Sequence, residues 1–361
     1  MKILNKIQID EIENILKSGG VVIFPTDTVF GIGCLYGKDE ALRKIFKIKK
    51  RPQYKKLPLL INNKKMAKQY INNSIPKNLE SLISKFSPGG LTYVIKAKNE
   101  NTRKYSYSDN SIAFRIPNSP YLLKVIKKLN SPLFATSANI SGNKEIKNLD
   151  LMIDTFSKKV DCIVKGDIKK NIPSTIISFV DKKPYFIRTG DISKKSIRKH
   201  VKTKTNIVFV CTGNTCRSPM AEEYAKKIAG EDNFHFSSSG THAFGNYRIS
   251  SNSSKIIKDF NGNPNKISSL LNEHVIVNND LIIVMASEHK EFIQKVYNTS
   301  DVYTLGEFAI NHGVISDNGN YQINIKQEGI DIKDPVGENL KYYKERFHEI
   351  KKYLKMIRWE K

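Results

Sequence analysis

One stretch, NIVFVCTGNTCRSP at residues 206–219, constrains the fold of this chain more than any other. Its apolar run, Ile207–Val210, predicts a buried strand. A short loop follows in which five residues separate Cys211 from Arg217, and the next segment, MAEEYAKKIAG, has the composition of a helix. Such a loop is suited to an anion, because backbone N–H groups and the positive end of the helix dipole face it.

The same stretch carries signals for the ends of the helix. Ser218 is a suitable N-cap, Pro219 suits the first helical position, and Gly230 suits the position after the last turn. We therefore predict a helix that starts after Ser218 and ends before Gly230.

The residue types in this loop predict phosphoryl chemistry. A loop of this length can curl around one phosphate-sized anion, and its positive field would lower the pKa of Cys211 and produce a thiolate nucleophile. Arg217 can bind two phosphoryl oxygens at once. The alternative interpretation is a buried structural cysteine beside a surface arginine.

Composition narrows the class of protein. The chain has 361 residues, enough for two domains, and its 39% hydrophobic and 26% charged residues are globular values. The sequence contains no apolar stretch of membrane-spanning length, no signal peptide and no metal-ligand spacing of Cys and His. We expect a cytoplasmic protein with no membrane partner and no metal held by protein ligands alone, because four scattered cysteines suit a reducing compartment. The net charge of +25 would permit RNA binding, but lysine is spread along the whole chain.

In the first half, hydroxyl groups and cations gather at the ends of predicted strands. Arg115 stands inside an otherwise apolar strand, where a charge is costly unless it meets an anion. The pattern describes a site for a phosphorylated, polar ligand. The candidate residues are Thr28, Lys49, Arg51, Lys55, Arg115, Thr136, Ser137, Asn139, Ser141, Ser174 and Arg188.

Residues from about 9 to 201 resemble the YrdC-type threonylcarbamoyl-AMP synthase family. The matching pieces, in the family's order, are FPTDTVFGIG, the Lys-x-Arg of residues 49–51 with Lys55, SPGGLT, AFRIP, ATSANISG, PSTI and IRTGDI. The resemblance implies a twisted, open α/β sheet with a concave basic groove. It also implies synthesis of L-threonylcarbamoyl-AMP from L-threonine, bicarbonate and ATP, with Mg²⁺ accompanying the ATP, and a partner transferase that modifies tRNA. The alternative is a non-catalytic RNA-binding module of the same fold, and tRNA is a further candidate partner.

The family's binding residues can be placed one by one on this sequence. The resemblance assigns L-threonine to Thr28, Lys55, Arg115 and Ser174. It assigns ATP to Lys49, Arg51, Thr136, Ser137, Asn139, Ser141 and Arg188. Lys56 and Gly90 stand where the family often has proline, which removes no charge or hydroxyl group.

A Lys-rich stretch divides the chain, and we predict domains at residues 1–201 and 206–361 with a linker at 202–205. In the second half apolar strands alternate with helices, which predicts a doubly wound parallel sheet. Asp334 lies beside a proline, far along the chain from Cys211. A cysteine that takes a phosphoryl group needs an acid to protonate the departing atom, although an isolated Asp-Pro is more often only a turn.

The second half resembles the low-molecular-weight protein tyrosine phosphatase family in VFVCTGNTCRSPMAE, SSGT, DLIIVMASEH, TLGEFA and DIKDPVG. The resemblance implies a cofactor-free enzyme in which Cys211 forms a phosphocysteine, Arg217 binds the phosphate, and Asp334 is general acid and then base. The supporting loop residues would be Gly213, Asn214, Thr215, Cys216 and Ser218. Asn214 and Ser218 would orient the loop, and Cys216 could trap an oxidised Cys211 as a reversible disulfide.

The phosphorylated protein substrate stays open between phosphoarginine and phosphotyrosine. Thr215 resembles the arginine-phosphatase branch, whereas Val336 stands where an aromatic residue is frequent beside the Asp-Pro. We favour phosphoarginine, and arsenate reduction ranks low because no cysteine follows Cys216. For the whole chain we predict a bifunctional enzyme. The alternative is a regulatory protein that only docks phosphorylated partners.

Overall fold

The computed structural model describes residues 1–71, 75–98, 104–106, 110–141, 143, 145–168, 170–181, 183–326 and 331–360. The chain divides into two compact units. The first comprises Met1–Asp181 and Ile187–Val201, and the second comprises Lys202–Lys361 together with residues 183–186. Each unit is described by itself below.

The first unit is built on a mixed sheet. Its strands are β1 (Lys2–Leu4), β2 (Val22–Pro25), β3 (Phe30–Leu35), β4 (Leu59–Leu60), β5 (Leu91–Lys96), β6 (Ser111–Arg115), β7 (Leu133–Ser137), β8 (Cys162–Val164), β9 (Thr175–Ser178) and β10 (Tyr185–Arg188). The described strands lie in the order β1-β8-β2-β3-β7-β4-β6-β5-β9-β10. Non-sequential neighbours such as β3 and β7 bring distant parts of the chain together, with Gly31 opposite Ser137.

Amphipathic helices cover this sheet. They are α1 (Ile9–Lys17), α2 (Asp39–Lys49), α3 (Lys64–Ala67), α4 (Lys77–Phe86), α5 (Pro120–Leu129), α6 (Leu149–Phe156) and α7 (Lys194–Arg198). In α2 the buried residues Ala41, Ile45 and Lys49 recur at helical spacing, and the helix ends at Lys50 in the left-handed conformation. Lys49 is thereby the last residue of a helix whose inner face points at the sheet.

The second unit contains a four-stranded parallel sheet. Its strands lie in the order β12 (Phe234–Gly240), β11 (Thr205–Cys211), β13 (Leu281–Val284) and β14 (Val302–Thr304). A smaller sheet is formed by β15 (Val314–Ile315), β16 (Tyr321–Gln322) and β17 (Arg358–Trp359). The helices are α8 (Arg217–Ala229), α9 (Ser251–Asp259), α10 (Glu273–Asn278), α11 (Ser287–Tyr297), α12 (Leu305–Ile310) and α13 (Leu340–Met356).

The parallel sheet has a hydrophobic core on each face. Along β11, Ile207 and Phe209 pack into one core with residues of α8, α9, α12 and α13. Val208 and Val210 pack into the other core with residues of α10 and α11. Alternate side chains of a strand point to opposite faces, so this unit is doubly wound. The predicted α/β class is confirmed for both units.

Two sequence-based boundaries differ from the structure. The helix α8 begins at Arg217, with Cys216 as N-cap, so Ser218 and Pro219 lie within its first turn. Proline is tolerated there because first-turn N–H groups have no partner within the helix. The predicted linker 202–205 belongs to the second unit, where Thr203 and Thr205 are fully buried.

Candidate active sites

The loop between β11 and α8 lies directly against the end of β12. A Cβ atom at Gly240 would approach the carbonyl oxygen of Thr212 to 2.5 Å and the amide nitrogen of Asn214 to 2.7 Å, so only glycine fits. Asn214 has φ of 54°, a left-handed conformation that Asn adopts more readily than most residues. The backbone N–H of Thr241 donates to the carbonyl of Cys211 at 3.0 Å. The backbone of β12 therefore fixes the start of the loop.

The thiol of Cys211 faces a hydroxyl group. Its Sγ lies 3.0 Å from Ser218 Oγ, and Asn214 Nδ2 donates to the same Oγ at 2.9 Å. Because the amide is the donor in that second bond, the Ser218 hydroxyl can direct its single proton to the sulfur or to the backbone carbonyl of Ser239, which lies 3.4 Å away. Asn214 is itself held through Oδ1, which accepts from the backbone N–H of Ser269 at 2.8 Å. This arrangement places a hydroxyl group beside the Cys211 sulfur.

Arg217 and Asp334 meet in the structure. The guanidinium is buried, with 2% exposure, and Nη2 donates to Asp334 Oδ2 at 2.5 Å. Nη1 donates to the backbone carbonyl of Ile332 at 2.9 Å. The backbone N–H of Ile332 in turn donates to the carbonyl of Met285, directly after β13. The loop that carries Asp334 is thus fastened beside the loop that carries Cys211.

The remaining predicted loop residues surround this centre. Cys216 Sγ lies 3.2 Å from Tyr343 Oη, and burial raises the pKa of Tyr343 to about 12, so its hydroxyl stays protonated. Thr215 Oγ1 lies 3.5 Å from Cys216 Sγ, and its carbonyl accepts from the backbone N–H of Ser250. A Cβ at Gly213 would come within 3.3 Å of Thr215 Oγ1.

Two residues in this site were given no role by the sequence analysis, although both stand in motifs quoted for the resemblance. Thr212 Oγ1 accepts from Arg217 Nη2 at 3.1 Å and lies 2.9 Å from His289 Nε2. His289 is 2% exposed. Burial, and next the charge of Arg217, lower the pKa of His289 to about 4, so the ring is neutral near pH 7. The separation of 77 residues between Thr212 and His289 explains why no local pattern predicted the contact.

In the first unit, Arg115 is buried at the end of β6. Its Nη1 donates to Thr28 Oγ1 at 2.9 Å, and its Nη2 lies 3.3 Å from Asp27 Oδ1. Burial lowers the pKa of Arg115, and the carboxylates of Asp27 and Asp191 act in the opposite sense. Arg115 and Thr28, both predicted for one ligand, are therefore in contact. Asp27 and Asp191 were not predicted, because their proximity to Arg115 arises only in the fold.

Lys49 joins the end of α2 to the end of β7. Its Nζ donates to the carbonyl of Ser137, to the carbonyl of Asn139 at 2.6 Å and to Asn139 Oδ1 at 2.9 Å. Burial, and next the charge of Arg51, lower the pKa of Lys49 to about 7. The backbone N–H of Ser141 donates to the carbonyl of Lys49. Four of the residues predicted for ATP thus form one contact group, namely Lys49, Ser137, Asn139 and Ser141.

The other predicted residues of this unit lie in three places. Arg188 donates through Nε and Nη2 to the carbonyl of Ser174, at 3.0 and 2.7 Å, and through Nη2 to its hydroxyl at 3.1 Å. Arg51 Nε donates to the backbone carbonyl of Lys55 at 2.7 Å. Thr136 lies within β7, one residue before Ser137, whereas the sequence suggested that both follow the strand.

Neither metal clusters nor membrane helices are found in the part of the chain that the structure describes. No group of three His, Cys, Asp or Glu side chains there could hold a metal ion. Across the same residues, no helix has the length and apolar character to cross a membrane.

The geometry describes an α/β chain in which buried cations and hydroxyl groups lie together in each unit, beside two buried thiols in the second. Comparison with known proteins gives the families. Residues 14–190 match the Sua5/YciO/YrdC model, described as telomere recombination, and residues 206–359 match the model described as low molecular weight phosphotyrosine protein phosphatase. The chain joins a domain of the first family to a domain of the second, which confirms both resemblances.

One curated relative supports the assignment of the first domain to the Sua5/YciO/YrdC family. A threonylcarbamoyl-AMP synthase of Pyrococcus abyssi (strain GE5 / Orsay) is 30% identical over 186 residues. The match covers 51% of this chain and 54% of that relative, so the chain spans about half the length of the curated relative.

Two solved structures are also similar. That of P. abyssi Sua5 complexed with L-threonine is 19% identical, covers 98% of each chain and has a TM-score of 0.53, a likeness of fold. The YwlE arginine phosphatase from Geobacillus stearothermophilus is 26% identical, with 42% of this chain and 89% of that chain covered at a TM-score of 0.36.

Proposed function

We propose that the first domain synthesises L-threonylcarbamoyl-AMP from L-threonine, bicarbonate and ATP, with release of pyrophosphate. The observation that carries the proposal is the buried guanidinium of Arg115, which contacts Thr28 and faces Asp27. A buried cation with a hydroxyl beside it fits the carboxylate and polar groups of an amino acid. The family match and the relative named threonylcarbamoyl-AMP synthase support this proposal.

The nucleotide would lie at the contact group around Lys49. Ser141 Oγ is buried and has no hydrogen-bond partner among the described residues, so it is available to a phosphate oxygen. The three N–H bonds of Lys49 are engaged by Ser137 and Asn139, so we expect Lys49 to shape the loop that meets the phosphates. Arg51 and Arg188 would neutralise phosphate charge, and Mg²⁺ would be bound mainly by oxygens of ATP.

The reaction needs positioning more than acid–base chemistry. The threonine amine meets bicarbonate, a carbamate oxygen attacks the α-phosphate, and pyrophosphate leaves. Holding these groups together and neutralising the phosphate charge would supply most of the rate enhancement. We expect a separate transferase to pass the threonylcarbamoyl group to tRNA.

Pyrophosphate release from ATP tests this half. We expect release only when both L-threonine and bicarbonate are present. Release without threonine would contradict the proposed reaction, and tRNA binding with no release would favour the alternative of a non-catalytic RNA-binding module. A Cys211→Ser variant is the matched control, because its change lies in the other domain.

We propose that the second domain is a cysteine-dependent protein phosphatase. The observation that carries this proposal is the meeting of Arg217 with Asp334 beside the Cys211 loop. The Cys211 thiolate would attack phosphorus, forming an S–P bond as the bond to the leaving atom breaks. Asp334 would protonate that atom and later take a proton from the water that releases phosphate. An oxygen of an entering phosphoryl group would replace Asp334 as an acceptor of the hydrogen bond from Arg217 Nη2, which would release the Asp334 carboxyl group.

For the substrate, we propose a phosphoarginine protein and retain phosphotyrosine as the second candidate. Thr215 supports phosphoarginine, because its small hydroxyl side chain lies in the phosphate loop. Val336 is 63% exposed and offers no aromatic surface to a tyrosine ring. Hydrolysis of peptides that differ only in carrying phosphoarginine or phosphotyrosine decides between them. A larger kcat/KM on the phosphotyrosine peptide would reverse the assignment.

A further inference from the structure

A chain of three side chains leads away from the phosphate loop. Arg217 Nη2 lies 3.1 Å from Thr212 Oγ1, which lies 2.9 Å from His289 Nε2. His289 belongs to α11, which follows β13, whereas the other two residues flank the loop itself. The chain therefore ties the phosphate-binding guanidinium to a separate element of the fold.

The chemistry of the groups fixes the direction of the first of these bonds, whereas the direction of the second is set by the tautomer of His289. A guanidinium can only donate, so Thr212 Oγ1 is the acceptor from Arg217. The Thr212 hydroxyl keeps its own proton, which it can donate to the unprotonated Nε2 of a neutral ring. Burial lowers the pKa of His289 to about 4, in keeping with that neutral state. The charged groups that influence this ring are Arg217, Asp334 and Asp331, and the Glu288 carboxylate lies 3.4 Å from Nε2.

We infer that His289 is a positioning residue which, through Thr212, holds Arg217 in the orientation that binds phosphoryl oxygens. This inference rests on the proposed phosphatase function. Nη2 of Arg217 has two side-chain partners, Asp334 and Thr212. Asp334 must release the guanidinium to transfer a proton, so Thr212 becomes the anchor of Nη2 during the reaction. His289 orients the Thr212 hydroxyl and thereby keeps its lone pairs directed at Arg217.

The test compares three single variants in the full chain. His289→Leu removes the acceptor, His289→Gln retains a polar group of similar reach, and Thr212→Val removes the bridging hydroxyl. We expect His289→Leu to weaken inorganic phosphate binding, measured by calorimetry, about tenfold and to lower kcat/KM by a similar factor. His289→Gln should recover most of the affinity.

A double variant separates positioning from a general effect on folding. In the Thr212→Val background, His289→Leu should reduce phosphate affinity little further, because the Thr212 hydroxyl that links His289 to Arg217 is already absent. The inference would be overturned if His289→Leu reduced phosphate affinity equally in the wild-type and Thr212→Val backgrounds. It would also be overturned if His289→Gln bound phosphate as weakly as His289→Leu.

The failure of the proposed function would look different from failure of the inference. Wild-type protein that binds phosphate but hydrolyses neither phosphopeptide would contradict the phosphatase proposal, while the binding comparison would still decide the role of His289. Wild-type protein that binds no phosphate would overturn both.

Discussion

The two candidate sites are built in opposite ways. In the second domain, the proposed nucleophile, the proposed phosphate-binding arginine and the supporting hydroxyl lie within residues 211–218, the end of one strand, one loop and one helix turn. In the first domain, the candidate residues come from α2, β6, β7 and β10, from the β2–β3 turn, and from loops that follow α2 and β7 or precede β9. The centre of one site is local in sequence, although Asp334 and His289 reach it from other elements, and the other site exists only once the sheet has formed.

This difference changes what holds each site together. Backbone hydrogen bonds fix the phosphate loop, as where the N–H of His242 donates to the carbonyl of Thr212. Buried cations join the elements of the dispersed site, with Lys49 linking α2 to β7 and Arg115 linking β6 to the β2–β3 turn. Removing a buried charged partner leaves the other groups unsatisfied. We therefore expect substitutions in the first site to affect binding and folding together, whereas those in the second affect chemistry.

The largest effect should come from Cys211→Ser. Loss of a nucleophile that acts with its partners as a unit costs on the order of 10⁴-fold or more in rate. Phosphopeptide hydrolysis should therefore vanish, while pyrophosphate release by the first domain stays intact. Both activities are measured on one sample. Loss of both would mean that the two sites are not independent.

Asp334→Asn should have the next largest effect. Loss of a general acid lowers kcat by roughly 10²–10⁴-fold. The loss should shrink for an aryl phosphate whose leaving group needs no proton, because the S–P bond can then form without the acid. Comparing kcat on a poor and on an activated leaving group measures this. Equal losses on both substrates would assign Asp334 to holding Arg217, not to proton transfer.

Arg115→Met tests the dispersed site. It leaves the Asp27 carboxylate without its cation, and truncating one partner of a buried charged pair costs about 2–5 kcal/mol, or on the order of 10²-fold in affinity. We expect KM for L-threonine to rise more than KM for ATP, together with a lower melting temperature.

Arg115→Lys is the matched control for this substitution. It keeps the positive charge but loses one of the two contacts that Arg115 makes with Thr28 and Asp27. Its KM for L-threonine should therefore lie between the values for wild type and Arg115→Met. An unchanged KM for L-threonine in both variants would remove Arg115 from the threonine site.

The local site was the more predictable of the two from sequence. The order of strand, loop and helix was predictable because the periodicity and the loop lie in one stretch, although Cys211 is the last residue of β11 and Arg217 the first of α8, whereas the sequence put both in the loop. The N-cap was predicted at Ser218 instead of Cys216, because the sequence does not reveal that the Ser218 hydroxyl is engaged by Cys211 and Asn214.

Two of the contacts made across the fold were beyond the sequence. Asp27 beside Arg115, and His289 beside Thr212, are set by which strands become neighbours. No residue pattern near either site encodes that order. Segment 202–205 looked like a linker because it is Lys- and Thr-rich, yet Thr205 Oγ1 donates to the carbonyl of Ser316 and the segment packs into the second unit.

The smallest effect we predict is acid sensitivity from His289. Its pKa is about 4 in the folded protein against an ordinary value of 6.5, so the unfolded chain takes up a proton first as pH falls. Stability is therefore lost between about pH 6.5 and 4, by roughly 2 kcal/mol at pH 5, and His289 contributes no such slope above that range.

His289→Gln lacks the titrating ring, so its stability relative to wild type should improve on going from pH 7 to pH 5. Trp359, the single tryptophan, packs on Phe234 and Phe236 in the second unit, so its fluorescence reports denaturant unfolding of that unit. A difference between variant and wild type that is the same at both pH values would show that His289 titrates alike in the folded and unfolded chain.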